Sequence, residues 1–153
     1  PMGWQNFFGF VCAPTHRTYS NARENSAFTV TYPRPGQLVE TSLSASPRDD
    51  QDRKPVLAAL PVSQAHAVPG VVVDGGYLYL ECELDRIVDD FGPNSLIVGR
   101  VVAARVSEDA LRESDGDDAA MIRDNPLLVY LHPGRFASVG DTLSFPFPAG
   151  MRK

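Results

Sequence analysis

From residue 77 to residue 85 the chain alternates without a break. Leu78, Leu80, Cys82 and Leu84 fall on one face, and Tyr77, Tyr79, Glu81, Glu83 and Asp85 on the other. Period-two alternation with an aromatic bias predicts a half-buried strand. A Gly92-Pro93-Asn94 turn follows, and residues 95–106 are apolar on both faces, with Leu96, Val98 and Val102 opposite Ile97, Val101 and Ala103. A strand of that kind predicts a barrel wall or a subunit contact. Two long paired strands direct attention away from Rossmann and helical-bundle chemistries.

Shorter elements surround this pair. Residues 5–12 read as an aromatic strand carrying Phe7, Phe8 and Phe10 behind Trp4, followed by a polar turn at 13–18. Residues 19–25 predict a short helix, with Thr18 or Ser20 as N-cap and Asn25 as the left-handed stop. Residues 28–32 form a strand closed by Pro33 and Pro35, and residues 37–44 a short helix with Leu38 and Val39 inward. Residues 46–54 predict a solvated, mobile loop, residues 55–60 a helical turn, and residues 71–73 a short extended piece. In the acidic stretch 107–125, Ser107 can cap a helix with Ala110 and Leu111 inward, and Met121 and Ile122 form a second turn. Residues 127–131 predict a last buried strand, and the turn from His132 to Phe136 leads into an extended segment at 137–143. The expected fold class is mainly β, a small closed or nearly closed barrel with short helices.

At 153 residues the chain is long enough for one domain with its own core. No apolar run approaches membrane-spanning length. The net charge of −5 argues against nonspecific nucleic-acid binding, which needs a basic stripe. Cys12 and Cys82 have no ligand-like spacing and sit in apolar strand contexts, so buried free thiols in a reducing cytoplasm are expected. Because residue 1 is Pro rather than Met, a processed or partial chain is also expected.

No protein-based catalytic set stands out. The serines lack a nucleophile elbow, neither cysteine has a visible activating base, and Asp49, Asp50, Asp52, Asp115, Asp117 and Asp118 lie in loops. An enzyme built this way would lean on a cofactor. The best anion site is the turn Thr15-His16-Arg17-Thr18, where hydroxyls, a guanidinium and a helix start coincide. An ordinary polar turn capping a short helix accounts for the same residues. A second candidate is the turn carrying His132 and Arg135; a surface turn with a solvated arginine explains it equally.

Four segments, taken in order, add to this reading. Thr18 opens a helix that Arg23-Glu24-Asn25 closes, and Phe28-Thr29-Val30 leads to Pro33. Tyr79 to Leu84, Leu96 to Ala104 and Pro126 to Gly140 follow. Together they resemble the flavin reductase-like, FMN-binding split-barrel family, from about Gly3 to Gly140. The resemblance implies a homodimer that holds FMN (FAD being possible) near the subunit interface and reduces flavin with NADH or NADPH. It implies that the turn of Cys12, Ala13, Thr15, His16, Arg17 and Thr18 helps hold the flavin phosphate, and that His132 and Arg135 face the nicotinamide side. A partner monooxygenase taking reduced flavin would fit. An FMN-binding electron carrier or flavin store remains the alternative; a pyridoxine-type oxidase would need a second basic cluster that the sequence lacks. The family's opening strands, with the Ser/Thr-rich loop that contacts the flavin ring, have no counterpart here, and Ser26 stands where a Gly is common.

Overall fold

The computed structural model describes residues 6–51, 53–111 and 117–143. Trp4, Asp52 and Asp115 lie outside the described residues. The chain runs β1 (Phe7–Cys12), α1 (Arg17–Asn25), β2 (Ala27–Tyr32), α2 (Leu38–Ser44), β3 (Val62–Gln64), β4 (Val71–Val73), β5 (Leu78–Phe91), β6 (Asn94–Val106), α3 (Asp118–Asp124), β7 (Leu127–Leu131) and β8 (Arg135–Val139). Single 3-10 turns occupy Pro35–Gln37, Pro55–Ala59 and Glu108–Ala110. The fold is mainly β with short peripheral helices, as expected. Among the described residues, no helix is long and apolar enough to cross a membrane.

The centre is a four-stranded antiparallel sheet in the order β1-β6-β5-β2, and its edge strands β1 and β2 are not joined to one another. The β5–β6 hairpin is its spine, turning at Gly92, whose φ of 60° suits glycine. β5 outruns the expected end at Asp85 and reaches Phe91. The reason is a register shift between Leu84 and Arg86. The extra residue at Asp85 changes the phase of the alternation, so that Leu84 and Ile87, three apart, both pack on the core. A reading at strict period two stops there.

Cys12, Ala22, Phe28, Cys82 and Ile97 form the buried core, with Phe8, Phe10, Tyr19, Val30 and Leu80 packed against it. Phe28 lies across β6 at Gly99, where an added Cβ would sit 2.6 Å from its ring. Close backbone approach requires glycine at that position. Both cysteines are buried and free.

The opposite face of the sheet is covered as well. There β3 and β4 form a ribbon hung on side chains of the sheet beneath: Thr29 Oγ1 donates to the Val71 carbonyl at 2.6 Å, and Val73 N–H donates to Thr31 Oγ1 at 3.2 Å. Glu81, assigned by alternation to the polar face, is therefore only 1% exposed.

Several expectations are corrected. α1 begins at Arg17 with His16 as N-cap and no side-chain cap bond; Ser20 Oγ donates instead to the Arg17 carbonyl at 3.2 Å. The left-handed residue ending α1 is Ser26, not Asn25. Leu38 and Val39 are 42% and 65% exposed rather than inward. Gln37 sets the helix angle, accepting from Arg34 N–H at 3.0 Å and donating to the Asp74 carbonyl at 2.7 Å. Ser107 precedes a 3-10 turn without capping it, its hydroxyl turned to the Gly76 carbonyl, and Leu111 is exposed. The half of β6 beyond Gly99 exposes Val102 and Val106, and Val129, Tyr130 and Leu131 of β7 are exposed too, so neither strand is buried throughout. The last strand runs Arg135–Val139 rather than 137–143. In the stretch expected to be a solvated loop, the Asp49 carboxylate accepts from the backbone of Gln51 and Arg53 and from Arg53 Nε.

Candidate functional site

The turn from Cys12 to Thr18 connects the end of β1 to the start of α1. Cys12 is the last strand residue, paired with Ser95 on β6. His16 N–H then bonds the Ala13 carbonyl at 2.9 Å, and Tyr19 N–H bonds the His16 carbonyl at 3.0 Å, folding the turn tightly onto the helix. Thr15, His16, Arg17 and Thr18 are all exposed, and Ala13 is half-buried.

The start of α1 is chemically open to an anion. The first N–H groups of a helix have no intrahelical acceptor, and they form the positive end of its dipole. The N-cap residue His16 makes no side-chain cap bond, and no acidic residue stands in the first turn. Arg17 lies along the helix, with Nη1 3.4 Å from Ser20 Oγ and 4.0 Å from Glu24 Oε1. Both of these contacts lie at the surface, where such interactions are weak. Cys12 plays no anionic part: burial pushes its thiol up, a shift that the Tyr19 N–H only partly offsets. Cys82 is pushed up to about 11 by burial. Both thiols are packing groups.

The second candidate turn belongs to a different sheet. Among the described residues β7 and β8 pair only with each other, and the residues between them carry His132 and the cis-linked Pro133. Gly134 N–H donates to the Tyr130 hydroxyl at 3.1 Å, and the Tyr130 ring meets Phe136 edge-on at 5.3 Å. His132 and Arg135 are both exposed on this braced tip. A cavity of about 90 Å³ elsewhere is lined by Thr31, Pro33, Gln37, Glu40, Thr41, Ser44 and Val73. None of these residues belongs to either turn.

The model of the flavin reductase like domain matches residues 6–140. The chain belongs to that family. Nitrilotriacetate monooxygenase component B from Bacillus cereus is similar in structure, with a TM-score of 0.76 at 19% identity, over 91% of this chain and 71% of that one. The 2-nitrobenzoate 2-nitroreductase of Pseudomonas fluorescens gives 0.77 at 15% identity, over 97% and 73%. The FMN-binding protein of Thermus thermophilus gives 0.72 at 22%, over 92% and 73%. At such identities the neighbours establish the fold, that of the FMN-binding split barrel. Among curated proteins, none matches the chain.

Sequence reasoning passed over one group at this site. Tyr19, Asp89 and Ser95 meet beneath the turn: Tyr19 Oη donates to Asp89 Oδ1 at 3.2 Å, and Ser95 Oγ donates to the same oxygen at 2.6 Å. Asp89 stands in an acidic run at a hairpin end, where a solvated carboxylate is the ordinary expectation. Its partner on α1 is 70 residues away in sequence.

Proposed function

We propose that this flavin reductase-like domain holds FMN by its phosphate at the Cys12–Thr18 turn and catalyses reduction of flavin by NADH or NADPH. The observation that carries this reading is the start of α1, where His16 makes no side-chain cap bond and no acidic residue stands in the first turn, in a member of the flavin reductase family. The turn fits a phosphate dianion. Thr15 and Thr18 offer hydroxyl donors, Arg17 a guanidinium, and the helix start backbone N–H groups. When bound, flavin supplies the hydride-accepting chemistry. The work of this chain is to bind and orient: the turn anchors the phosphate, and His132 and Arg135 dock the nicotinamide dinucleotide, Arg135 to a phosphate oxygen and His132 to a ribose or carboxamide group. No side chain is required to move a proton.

The proposal extends to a cytoplasmic homodimer, with a monooxygenase taking the reduced flavin. The monooxygenase component B among the structural neighbours supports that partner class. The FMN-binding protein among them supports the other reading, a flavin carrier without nicotinamide turnover. The purified protein mixed with FMN in the absence of oxygen separates the two. Loss of the yellow flavin absorbance within seconds of adding NADH or NADPH is expected. A flavin that binds but keeps its colour would favour the carrier.

A further inference from the structure

We infer that Asp89 is a positioning residue for the phosphate end of the site, tying both ends of the Cys12–Thr18 turn to one carboxylate oxygen. This role rests on the reading of that turn as the phosphate anchor. The turn is bracketed by Cys12 and Tyr19. Cys12 is held by its backbone pairing with Ser95, and Tyr19, in the first turn of α1, reaches Asp89 Oδ1 through its hydroxyl at 3.2 Å. Ser95, with 0% of its surface exposed, donates to that same oxygen at 2.6 Å. The chain of contacts is closed: β1 to Ser95, Ser95 to Asp89, Asp89 to Tyr19, and Tyr19 back to the helix start beside Thr18.

The local backbone explains why Asp89 can do this. The β5–β6 ladder loses register between Val88 and Phe91, and Asp90 takes a φ of 69°. In this irregular stretch Asp89 escapes the alternation that regular pairing would impose, and its carboxylate is the acceptor for two hydroxyls from two other elements. A hydroxyl bond to an ionised carboxylate is stronger than one between neutral groups. Geometry at an anion site depends on this kind of support, because a site slightly too loose loses hydrogen bonds that form only at correct distances.

The experiment compares FMN with riboflavin, which lacks the phosphate, by fluorescence titration of the whole chain. Asp89→Leu is expected to weaken FMN binding about tenfold, equivalent to about 1.4 kcal/mol, with riboflavin affinity unchanged. Asp89→Asn keeps an acceptor oxygen in place and is expected to restore most of the loss. Tyr19→Phe removes only the hydroxyl and should weaken FMN alone. The Tyr19→Phe/Asp89→Leu double variant should then bind no more weakly than Asp89→Leu. Equal loss of both flavins would overturn the inference, showing general loosening. So would unchanged FMN affinity in Asp89→Leu and Tyr19→Phe while Arg17→Ala binds FMN poorly, an outcome that leaves the phosphate anchor standing. If wild type binds FMN and riboflavin alike and Arg17→Ala changes nothing, the phosphate anchor fails, and the role of Asp89 fails with it. Should Asp89→Leu not fold, Tyr19→Phe carries the same comparison.

Discussion

Ser26 occupies a backbone conformation that its side chain resists. Its φ of 52° and ψ of 26° are left-handed, because α1 must reverse there for β2 to start at once. Its carbonyl is held by Leu84 N–H at 2.9 Å, so the conformation is fixed from outside the turn. An L-residue with a Cβ pays roughly 1–2 kcal/mol there, which a glycine avoids at the cost of some unfolded-chain entropy. Ser26→Gly is therefore expected to stabilise the fold by about 0.5–1 kcal/mol, read as a rise in the urea midpoint with an unchanged slope. A lower midpoint would show that Ser26 contributes something its backbone does not reveal. The residue was conspicuous in the sequence because a glycine is common there. What the sequence could not show was which residue carries the left-handed turn, since Asn25 tolerates that conformation better. Helix length decides it, and α1 starts two residues earlier than its polar residues suggest.

Elements were legible where the chain itself carries a pattern. The β5–β6 hairpin, α1, β2 and the β7–β8 turn could all be read from alternation and turn residues. The extended piece at 71–73 was legible and is β4, but its partner β3 was not, because residues 62–64 are exposed and carry no alternation; the ribbon's place comes from Thr29, Thr31 and Glu81 on distant strands. Glu81 shows the consequence. One carboxylate oxygen accepts from His66 N–H at 2.9 Å and Ala67 N–H at 2.6 Å, while the other, Oε1, is buried without a partner among the described residues. Burial alone would raise this carboxyl, but the N–H groups of Ala67, His66 and Val68 and the charge of His66 outweigh it and hold it below the usual range. A depressed folded-state value means that the ionised form stabilises the fold above the unfolded glutamate value of about 4.3, and that this contribution is lost as pH falls below it. Wild type should thus lose urea stability between about pH 5 and pH 3 more steeply than Glu81→Gln, which has no charge to titrate. At neutral pH, Glu81→Ala should cost about 2–3 kcal/mol, since the N–H groups of His66 and Ala67 lose a charged acceptor. Parallel pH curves for wild type and Glu81→Gln would remove Glu81 as the origin of the acid sensitivity.

Taken together, the described residues leave apolar surface exposed. Among the described residues β1 is an edge strand bonded only to β6, and its outward residues Phe7 and Val11 are 45% and 66% exposed. An open, apolar edge is a template for pairing unless something covers it. The β7–β8 hairpin adds Val129, Tyr130, Leu131 and Val139, and the far half of β6 adds Val102 and Val106, all exposed. Isolated surface hydrophobics need no explanation, but an unpaired edge together with a two-stranded arm apolar along its length marks a contact surface. The sequence pointed the same way through the two-faced apolar pattern of residues 95–106, although only the part to Gly99 is buried within one copy. A stable interface between two copies buries about 800 Å² per subunit. Light scattering at micromolar concentration is expected to give twice the chain mass of 16.7 kDa. Val11→Asp and Tyr130→Asp place a charge at each exposed region, and at least one should shift the mass to that of a single chain without loss of far-ultraviolet circular dichroism. A wild-type mass of 16.7 kDa would mean that these surfaces are exposed in solution and that any flavin site must be complete within one chain.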